Sequence, residues 1–404
     1  MIKVITGIRR CGKSELLNML RDELINRGVQ QEQIIYLNFE SFGLAGLDTA
    51  ESLYQWVKDR VKGDTRYYLL LDEVQEVESW EKAVNAFRVD FNTDIYITGS
   101  NSHLLSSELA TLLAGRYVEI PVYTLSFQEY LLFHQTTNHK SQITNKSQIT
   151  NPESQITNPA SLYRAFDQFL RLGGFPVLHT AEYSLETAYK IVYDIYSSAI
   201  LRDTVQRHKI RDVELLERVV RFVFDNVGNK FSAQNVADYF KSQQRKIDLN
   251  TVYNYLNALE SAFIVYRIPR YDVKGKEILK TLEKYFVGDH SLLYAVMGYR
   301  DRLISGVLEN IVMLELKRRG YKVFVGKSDE REVDFIGEMK ENRVYIQVAY
   351  KMEGDVTIDR EFTPLLDIRD HHPKYVVTMD ETWRDNIEGV QHKHIADFLM
   401  MKEF

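Results

Sequence analysis

The sequence predicts an α/β protein with a parallel sheet near its start, a helical region in the middle and a second α/β domain near its end. An apolar strand, Met1 to Thr6, leads directly into a glycine-rich turn and then into a helix with an apolar face. Five apolar residues run into Asp72-Glu73, as in a buried parallel strand whose carboxyl end carries acids. A helix containing Glu309 precedes three strand-like segments, and this order indicates the second α/β domain.

Composition and charge limit the class of protein. A length of 404 residues predicts two or three domains, and 45% hydrophobic with 27% charged residues is typical of an ordinary soluble protein. The net charge of −6 excludes a uniformly basic surface, so any DNA contact requires a local patch. Cys11 is the single cysteine, which excludes an internal disulfide and fits a reducing cytoplasm. Since no apolar run reaches about 18 residues and no signal peptide opens the chain, we expect a cytoplasmic protein without membrane contact.

The glycine-rich turn reads GIRRCGKS and matches the phosphate-binding loop G-x-x-x-x-G-K-[ST]. Its glycines permit a tight turn whose N–H groups face an anion, at the positive end of the following helix. Lys13 is expected to reach the β- and γ-phosphates of ATP, and the Ser14 hydroxyl to hold Mg²⁺. A turn that merely joins strand to helix is the alternative, which the flanking strand and helix disfavour. The predicted nucleotide-binding residues are Gly7, Ile8, Arg9, Arg10, Cys11, Gly12, Lys13, Ser14 and Glu15.

Downstream acids and small polar residues extend this site. Asp72-Glu73 is the Walker B pattern, in which Asp72 is expected to hold the Mg²⁺ shell and Glu73 to orient or deprotonate the attacking water. Strand 94–98 ends in Gly-Ser-Asn-Ser, so that Ser100 or Asn101 is a candidate to face the γ-phosphate; a helix N-cap is the alternative. Arg116 precedes the next strand and is a candidate transition-state arginine, acting in cis or from a neighbouring subunit, unless it is a plain surface arginine.

These residues carry a resemblance to a known family. GIRRCGKS, Leu-Asp-Glu-Val-Gln, Thr-Gly-Ser-Asn-Ser, Ala-Gly-Arg and Leu-Ser-Phe-Gln-Glu-Tyr-Leu (125–131) occur here in this order. The chain resembles, over nearly its whole length, the bacterial and archaeal AAA-superfamily ATPases that carry a C-terminal domain of unknown function. The resemblance implies ATP and Mg²⁺ as cofactors and a sensor role for Ser100 or Asn101. We expect a homo-oligomer that binds ATP or ADP.

The middle of the chain contains a repeat and a helical region. Ser-Gln-Ile-Thr-Asn begins at 141, 147 and 154, and so polar a tandem predicts a flexible insert at 138–160, between an ATPase domain at 1–137 and a helical lid-like region at 161–228. Residues 229–289 then look like a winged helix, with two capped helices and a basic hairpin. The alternatives for this segment are DNA binding and protein contact. The predicted phosphate contacts of the hairpin are Arg267, Arg270, Lys274, Lys276 and Lys280.

The last segment, 290–404, resembles the PD-(D/E)xK nuclease core. Glu309 and Asp334 fit the acids of that core, but Gln347 stands in place of the second acid and Ala349 in place of the lysine. Lys351 lies on the same strand face as Ala349, about 6 to 7 Å too far along to replace it. A hard-cation site loses affinity with each lost charge, so we expect this domain to be catalytically inactive.

Three hypotheses of function remain. The first is an Mg²⁺-dependent AAA-superfamily ATPase whose nucleotide state controls an oligomer or its grip on DNA or a protein partner. The second is an ATP-regulated nuclease. The third is a small-molecule kinase, which is disfavoured because the chain shows Walker B acids, a downstream arginine and a winged helix rather than an acceptor-binding lid.

Overall fold

A computed structural model describes residues 1–101, 115–140, 159–244, 247–275, 277–328, 331–352, 354–381 and 386–404, without the side chains of 135–140, 280, 281, 355 and 356. The chain divides into two compact units. The first comprises Met1–Tyr123 with Ser261–Phe263, and the second comprises Thr124–Glu260 with Ile264–Phe404. No helix in the described ranges is long and apolar enough to cross a bilayer.

The first unit contains, within its described residues, a five-stranded sheet in the order β2-β3-β4-β1-β5. All neighbouring strands are parallel. The carboxyl ends of the strands therefore meet at one edge, where loops collect the polar residues. The strands are β1 (Ile2–Thr6), β2 (Ile34–Asn38), β3 (Tyr67–Asp72), β4 (Thr93–Gly99) and β5 (Tyr117–Pro121).

Helices cover both faces of this sheet, as expected where parallel strands read as continuous apolar runs. Helix α1 (Lys13–Asn26) buries Leu17 against Ile5 and Leu70 on one face. Helices α2 (Ala50–Lys58) and α3 (Trp80–Asp90) pack on the other, in a cluster that includes Val4, Leu69 and Leu71. Successive residues of β1 and β3 thus alternate between two cores.

The second unit begins with helices that bracket the predicted insert. Helix α4 continues to Lys140 and α5 begins at Pro159, so both predicted boundaries of the insert, 138 and 160, fall within helices. The three repeats lie outside the described residues. The helix α6 continues as a π-helix over Ala199–Gln206. The helices of this part are α4 (Phe127–Lys140), α5 (Pro159–Leu172), α6 (Leu185–Ser198), α7 (Val213–Asp225), α8 (Ala233–Ser242) and α9 (Leu249–Ser261).

A second sheet, seven-stranded in the described ranges, follows in the order β12-β11-β10-β9-β8-β6-β7. Strand β6 pairs antiparallel with β7 and parallel with β8, which places the predicted wing hairpin at the edge of the large sheet. The strands are β6 (Val265–Asp272), β7 (Glu277–Val287), β8 (Lys322–Ser328), β9 (Arg331–Met339), β10 (Asn342–Val348), β11 (Lys374–Thr378) and β12 (Gln391–His394). The helices are α10 (Ser291–Met297), α11 (Ile304–Arg318), α12 (Asp355–Leu366) and α13 (Ile395–Leu399).

Candidate functional site

The turn between β1 and α1 is shaped by two glycines at positive φ. Gly7 has φ 154°, and a Cβ there would lie 2.0 Å from the Val122 carbonyl oxygen. Gly12 has φ 109° and immediately precedes α1. A side chain at either position opposes the observed backbone, and at Gly7 it also collides with the chain beyond β5. The sequence motif therefore has a steric cause in this fold.

Lys13 begins α1 and lies inside the turn. It is 4% exposed, and its Nζ donates to the carbonyl oxygens of Gly7 at 3.0 Å and Ile8 at 3.2 Å. The same ammonium is 4.0 Å from Oε1 of Glu73. The loop's own backbone thus holds a buried positive charge beside the N-terminus of a helix, an arrangement that attracts an anion.

The Walker B acids are organised by Thr98, which the sequence analysis had placed only as the end of a strand. Its hydroxyl donates to Oδ1 of Asp72 at 2.5 Å and accepts the backbone N–H of Glu73 at 2.9 Å. Tyr36 donates to the second oxygen of Asp72 at 3.2 Å, while Gln75 donates to Oε2 of Glu73. Burial, and then the charge of Asp72, raise the pKa of Tyr36 to about 12, so that its phenol stays a donor.

The sheet order explains this meeting of distant residues. Strand β4 lies between β1 and β3, so its carboxyl end reaches the space between the phosphate loop and the two acids. Ser100 and Asn101 follow β4 directly and are fully buried. Both predicted sensor residues therefore lie just beyond Thr98 in the chain.

The other predicted loop residues differ in their surroundings. The Arg9 guanidinium donates to Glu40 at 2.8 Å, whereas Arg10 is exposed and adopts φ 65°. Burial raises the pKa of the Cys11 thiol, so the thiolate form is disfavoured. Ser14 is half-buried in the first turn of α1, and Glu15 is exposed there.

Arg116 lies just before the amino-terminal end of β5, at the end of the sheet away from the phosphate loop. It precedes β5, and its carbonyl oxygen accepts the N–H of Ile2 at the start of β1. Five residues of strand, roughly 15 Å, separate that point from the phosphate loop. Its guanidinium donates to Asn85 at 3.4 Å. This position favours a role from a neighbouring subunit over one in cis, because a parallel strand carries its first residue away from the phosphate loop.

Mg²⁺ fits the oxygen atoms of this edge. Asp72 is fully buried, and its two oxygens accept hydrogen bonds from Thr98 and Tyr36. A carboxylate and a hydroxyl are the hard ligands that Mg²⁺ takes alongside water and phosphate oxygens. In the described ranges, no three His, Cys, Asp or Glu side chains are grouped to hold a metal ion by themselves. The donor set thus suits a cation that arrives with phosphate rather than an all-protein cage.

The second unit contains a cleft of about 760 Å³ that includes all the predicted nuclease-like residues. Glu309 comes from α11, Asp334 from β9 and Gln347 from β10. The structure adds Lys284 of β7, whose Nζ lies 3.2 Å from Glu309, 2.9 Å from Glu332 and 3.3 Å from Asp334. Lys351 also lines the cleft. Sequence reasoning missed Lys284 as a member of this site because it belongs to a hairpin interpreted as an exposed wing.

The predicted DNA contacts on that hairpin divide into three groups. Lys274 is exposed, and the Arg267 side chain is 47% exposed and 3.6 Å from Glu260. Arg270 is buried at 7% exposure, so its prediction as a phosphate contact was wrong; β6 pairs on both sides at this residue. Lys276 lies outside the described residues, and the Lys280 side chain is likewise not described.

The chain is similar to two known domain families and to several known proteins. An AAA domain matches residues 1–131, and a domain of unknown function (DUF8612) matches residues 163–303. An uncharacterized protein of Haemophilus influenzae is 38% identical over 99% of this chain and 94% of its own. An uncharacterized protein of Methanocaldococcus jannaschii is 30% identical over 87% of this chain and 75% of its own. A solved Walker-type ATPase of Pyrococcus abyssi aligns with a TM-score of 0.47 and 15% identity, over 73% of this chain and 91% of its own.

The relatives match along the chain, and the AAA match covers the unit in which the phosphate loop, Asp72 and Glu73 share one edge of a parallel sheet. The chain therefore belongs to a family of AAA-superfamily P-loop proteins that includes these relatives from Haemophilus influenzae and Methanocaldococcus jannaschii, and in this chain a domain of unknown function follows the AAA domain.

Proposed function

We propose that this chain is an Mg²⁺-dependent ATPase whose nucleotide state controls its assembly or its grip on a partner. The observation that carries the proposal is the meeting of Lys13, Asp72, Glu73 and Thr98 at the carboxyl ends of three neighbouring strands. A bare phosphate-binding turn requires no acid beside it, whereas hydrolysis requires a group that orients water, and the Glu73 carboxylate can do so.

Each group has a separate task in the proposed reaction. Lys13 exchanges its loop carbonyls for the β- and γ-phosphates, because an ammonium gains more from an oxyanion than from neutral oxygens. Ser14 and Asp72 would hold Mg²⁺, which when bound neutralises phosphate charge. Glu73 orients the attacking water, and Gln75 keeps one of its carboxylate oxygens in place.

Single substitutions test these tasks separately. Lys13→Ala should abolish ATP binding, since it removes the ground-state phosphate contact. Glu73→Gln should bind ATP with nearly the affinity of the starting protein yet hydrolyse it slowly. Calorimetry with ATP and release of phosphate are the two measurements. Equal ATP affinity in the Lys13→Ala protein would overturn the proposal, and phosphoryl transfer to a metabolite without phosphate release would favour a kinase.

We infer that the transition-state arginine comes from a second copy of this chain, because Arg116 lies at the edge of the sheet opposite Lys13. Arg116→Ala and Glu73→Gln should each be inactive alone. When they are mixed, Glu73→Gln subunits supply Arg116 to the intact site of Arg116→Ala subunits, and hydrolysis should return. No recovery in mixtures shown to assemble would contradict action between subunits.

DNA is the partner that we propose for the second unit, with the exposed face of α9 and the turn of the hairpin as the candidate contacts. Tyr253 and Asn254 are exposed on α9, and Lys274 is exposed at the turn. Aromatic and amide groups suit contacts with bases, and a cation suits contact with phosphate.

Fluorescence anisotropy with duplex DNA tests this partner. Binding should be weak and fall steeply with salt, because phosphate contacts release counterions. It should be lost when Lys274, Lys276 and Lys280 become Glu and retained in Lys190→Glu, an exposed lysine of α6. Absence of binding at low salt, with or without ATP, would instead indicate a protein partner.

A further inference from the structure

The cleft of the second unit encloses a positive charge where the nuclease-like sequence pattern predicts a metal ion. Lys284 is 3% exposed and, among the described residues, three carboxylates lie within 3.3 Å of its Nζ. An ammonium group has three N–H donors. Glu309, Glu332 and Asp334 can therefore each receive one of them, leaving the ammonium fully paired inside the protein.

Asp334 and Gln347 make further hydrogen bonds around the cluster. The second oxygen of Asp334 accepts the N–H of Val348 at 2.9 Å. The Gln347 side chain accepts the N–H of Asp334 at 3.2 Å and donates to Glu361 at 2.9 Å. A glutamate at 347 would set a second negative charge against Glu361, whereas the amide satisfies both neighbours. Gln347 is thus fitted to a network without a metal ion.

Charge balance gives the same result. Burial opposes charge on Lys284, but the summed charges of Glu309, Asp334 and Glu332 outweigh it and raise the pKa of the ammonium. Burial raises the pKa of Glu309 and of Asp334, so these two acids retain a proton more readily than usual. Lys230 adds a further cation, 3.2 Å from Glu332. A divalent ion among the same oxygens would lie beside a buried ammonium that cannot leave, and like charges repel strongly where water is excluded.

We propose that the ammonium of Lys284 occupies the cation position of this carboxylate cluster, so that the nuclease-like cleft is a metal-free site closed to divalent cations. Glu309 and Asp334 are then partners of a lysine, not ligands of Mg²⁺. Removing the ammonium leaves three buried carboxylates without their cation, and this should open a latent site for a divalent metal. The inference is independent of ATP hydrolysis, because it concerns residues of the second unit alone.

Mn²⁺ binding to the full chain without nucleotide tests the proposal, with electron paramagnetic resonance to count bound ions. The starting protein should show no Mn²⁺ binding that depends on Asp334, so Asp334→Asn should change nothing. Lys284→Met should gain one site, at least tenfold tighter than any in the starting protein, and lose it when Asp334→Asn is added. Lys284→Arg retains a cation and Lys230→Met removes a neighbouring one that is half-exposed; neither should gain the site.

Two results would overturn the proposal. The first is that the starting protein binds Mn²⁺, or cleaves DNA with Mg²⁺ or Mn²⁺, and that this binding or cleavage disappears in Asp334→Asn. If the cleavage is also lost in Lys284→Met, Lys284 would be a nuclease lysine. The second is a Lys284→Met protein that melts like the starting protein and gains no site. If Lys284→Met is unfolded without metal, Mn²⁺ should restore its thermal transition and leave Lys284→Arg unchanged. Failure of Mn²⁺ to do so would also count against the proposal.

Discussion

Replacing Thr98 by valine should separate the positioning of the Walker B acids from nucleotide binding. Valine keeps the branched shape but removes the hydroxyl that donates to Asp72 and accepts from the N–H of Glu73. The lost bond to a carboxylate costs about 1.5 to 3 kcal/mol, and a buried N–H left without its acceptor costs about 1 to 3 kcal/mol. Allowing for relaxation, the unfolding free energy of the first unit should fall by about 2 to 5 kcal/mol.

The catalytic effect follows from the same two bonds. Thr98 contacts Asp72 and Glu73, whereas Lys13 is held by the carbonyl oxygens of Gly7 and Ile8. ATP affinity should therefore change less than about threefold while kcat falls by about 10- to 100-fold, as for a misplaced catalytic group. Thr98→Ser is the matched control, because it keeps the hydroxyl and removes one methyl at a cost of about 1 kcal/mol. It should hydrolyse ATP at close to the starting rate.

The assay combines phosphate release, calorimetry with ATP and tryptophan fluorescence during urea unfolding. Trp56 and Trp80 lie in the first unit, and the remaining tryptophan, Trp383, can be changed to Phe so that the signal reports that unit. A Thr98→Val protein with the kcat and the urea midpoint of Thr98→Ser would refute the reasoning, since it would mean that the two hydrogen bonds position nothing.

Three further outcomes are expected. Gly7→Ala should abolish ATP binding, because its Cβ would lie 2.0 Å from the Val122 carbonyl oxygen. Gly46→Ala, at φ 99° with open space around it, should lower the unfolding free energy by only about 1 to 2 kcal/mol. Equal melting temperatures and equal ATP binding in the two proteins would contradict the steric argument. Deleting 141–158 while keeping α4 and α5 intact should leave ATPase activity unchanged, and a large fall in melting temperature would show that this polar repeat is packed. Burial raises the pKa of Glu309 above its usual range, so its contribution to stability is full below that range and is lost as the pH rises through the raised value. The stability of Glu309→Gln relative to the starting protein should therefore increase as the pH rises above about 5, by at most about 1.4 kcal/mol per pH unit, and parallel pH profiles of melting temperature would refute this.

The nucleotide edge could be predicted because its chemistry is local in sequence. Gly7, Gly12, Lys13 and Ser14 lie within eight residues, and a parallel sheet carries Asp72-Glu73 to the same edge. The contacts of Thr98 with the two acids could not be predicted without knowing that β4 lies between β1 and β3. A polar threonine at the end of the strand that follows the Walker B strand was nevertheless a usable signal. The direction of β5 determines at which end of the sheet Arg116 lies. A sequence motif does not give that direction unless the strand order is known.

The second site was harder to predict because its decisive contact is long-range. Lys284 lies 25 residues before Glu309 and 50 before Asp334. The hairpin that carries it also contains the lysines at 274, 276 and 280, which predict a solvent-facing basic surface. Only the parallel pairing of β6 with β8 brings β7 into the sheet that carries Asp334. The sequence shows that Gln347 and Ala349 stand in place of the acid and the lysine of the nuclease pattern. It does not show that Lys284 lies where we propose that it replaces the metal ion.

The central place of β1 determines when the first unit can fold on the ribosome. Strand β1 emerges first, yet both of its neighbours, β4 and β5, lie between residues 93 and 121, so it waits for almost the whole unit before it can pair. At about 5 to 20 residues per second, synthesis of residues 124–404 then takes roughly 15 to 60 s. Mixed α/β domains commonly fold within milliseconds to seconds. The phosphate loop is therefore formed on the nascent chain while most of the second unit has still to be translated.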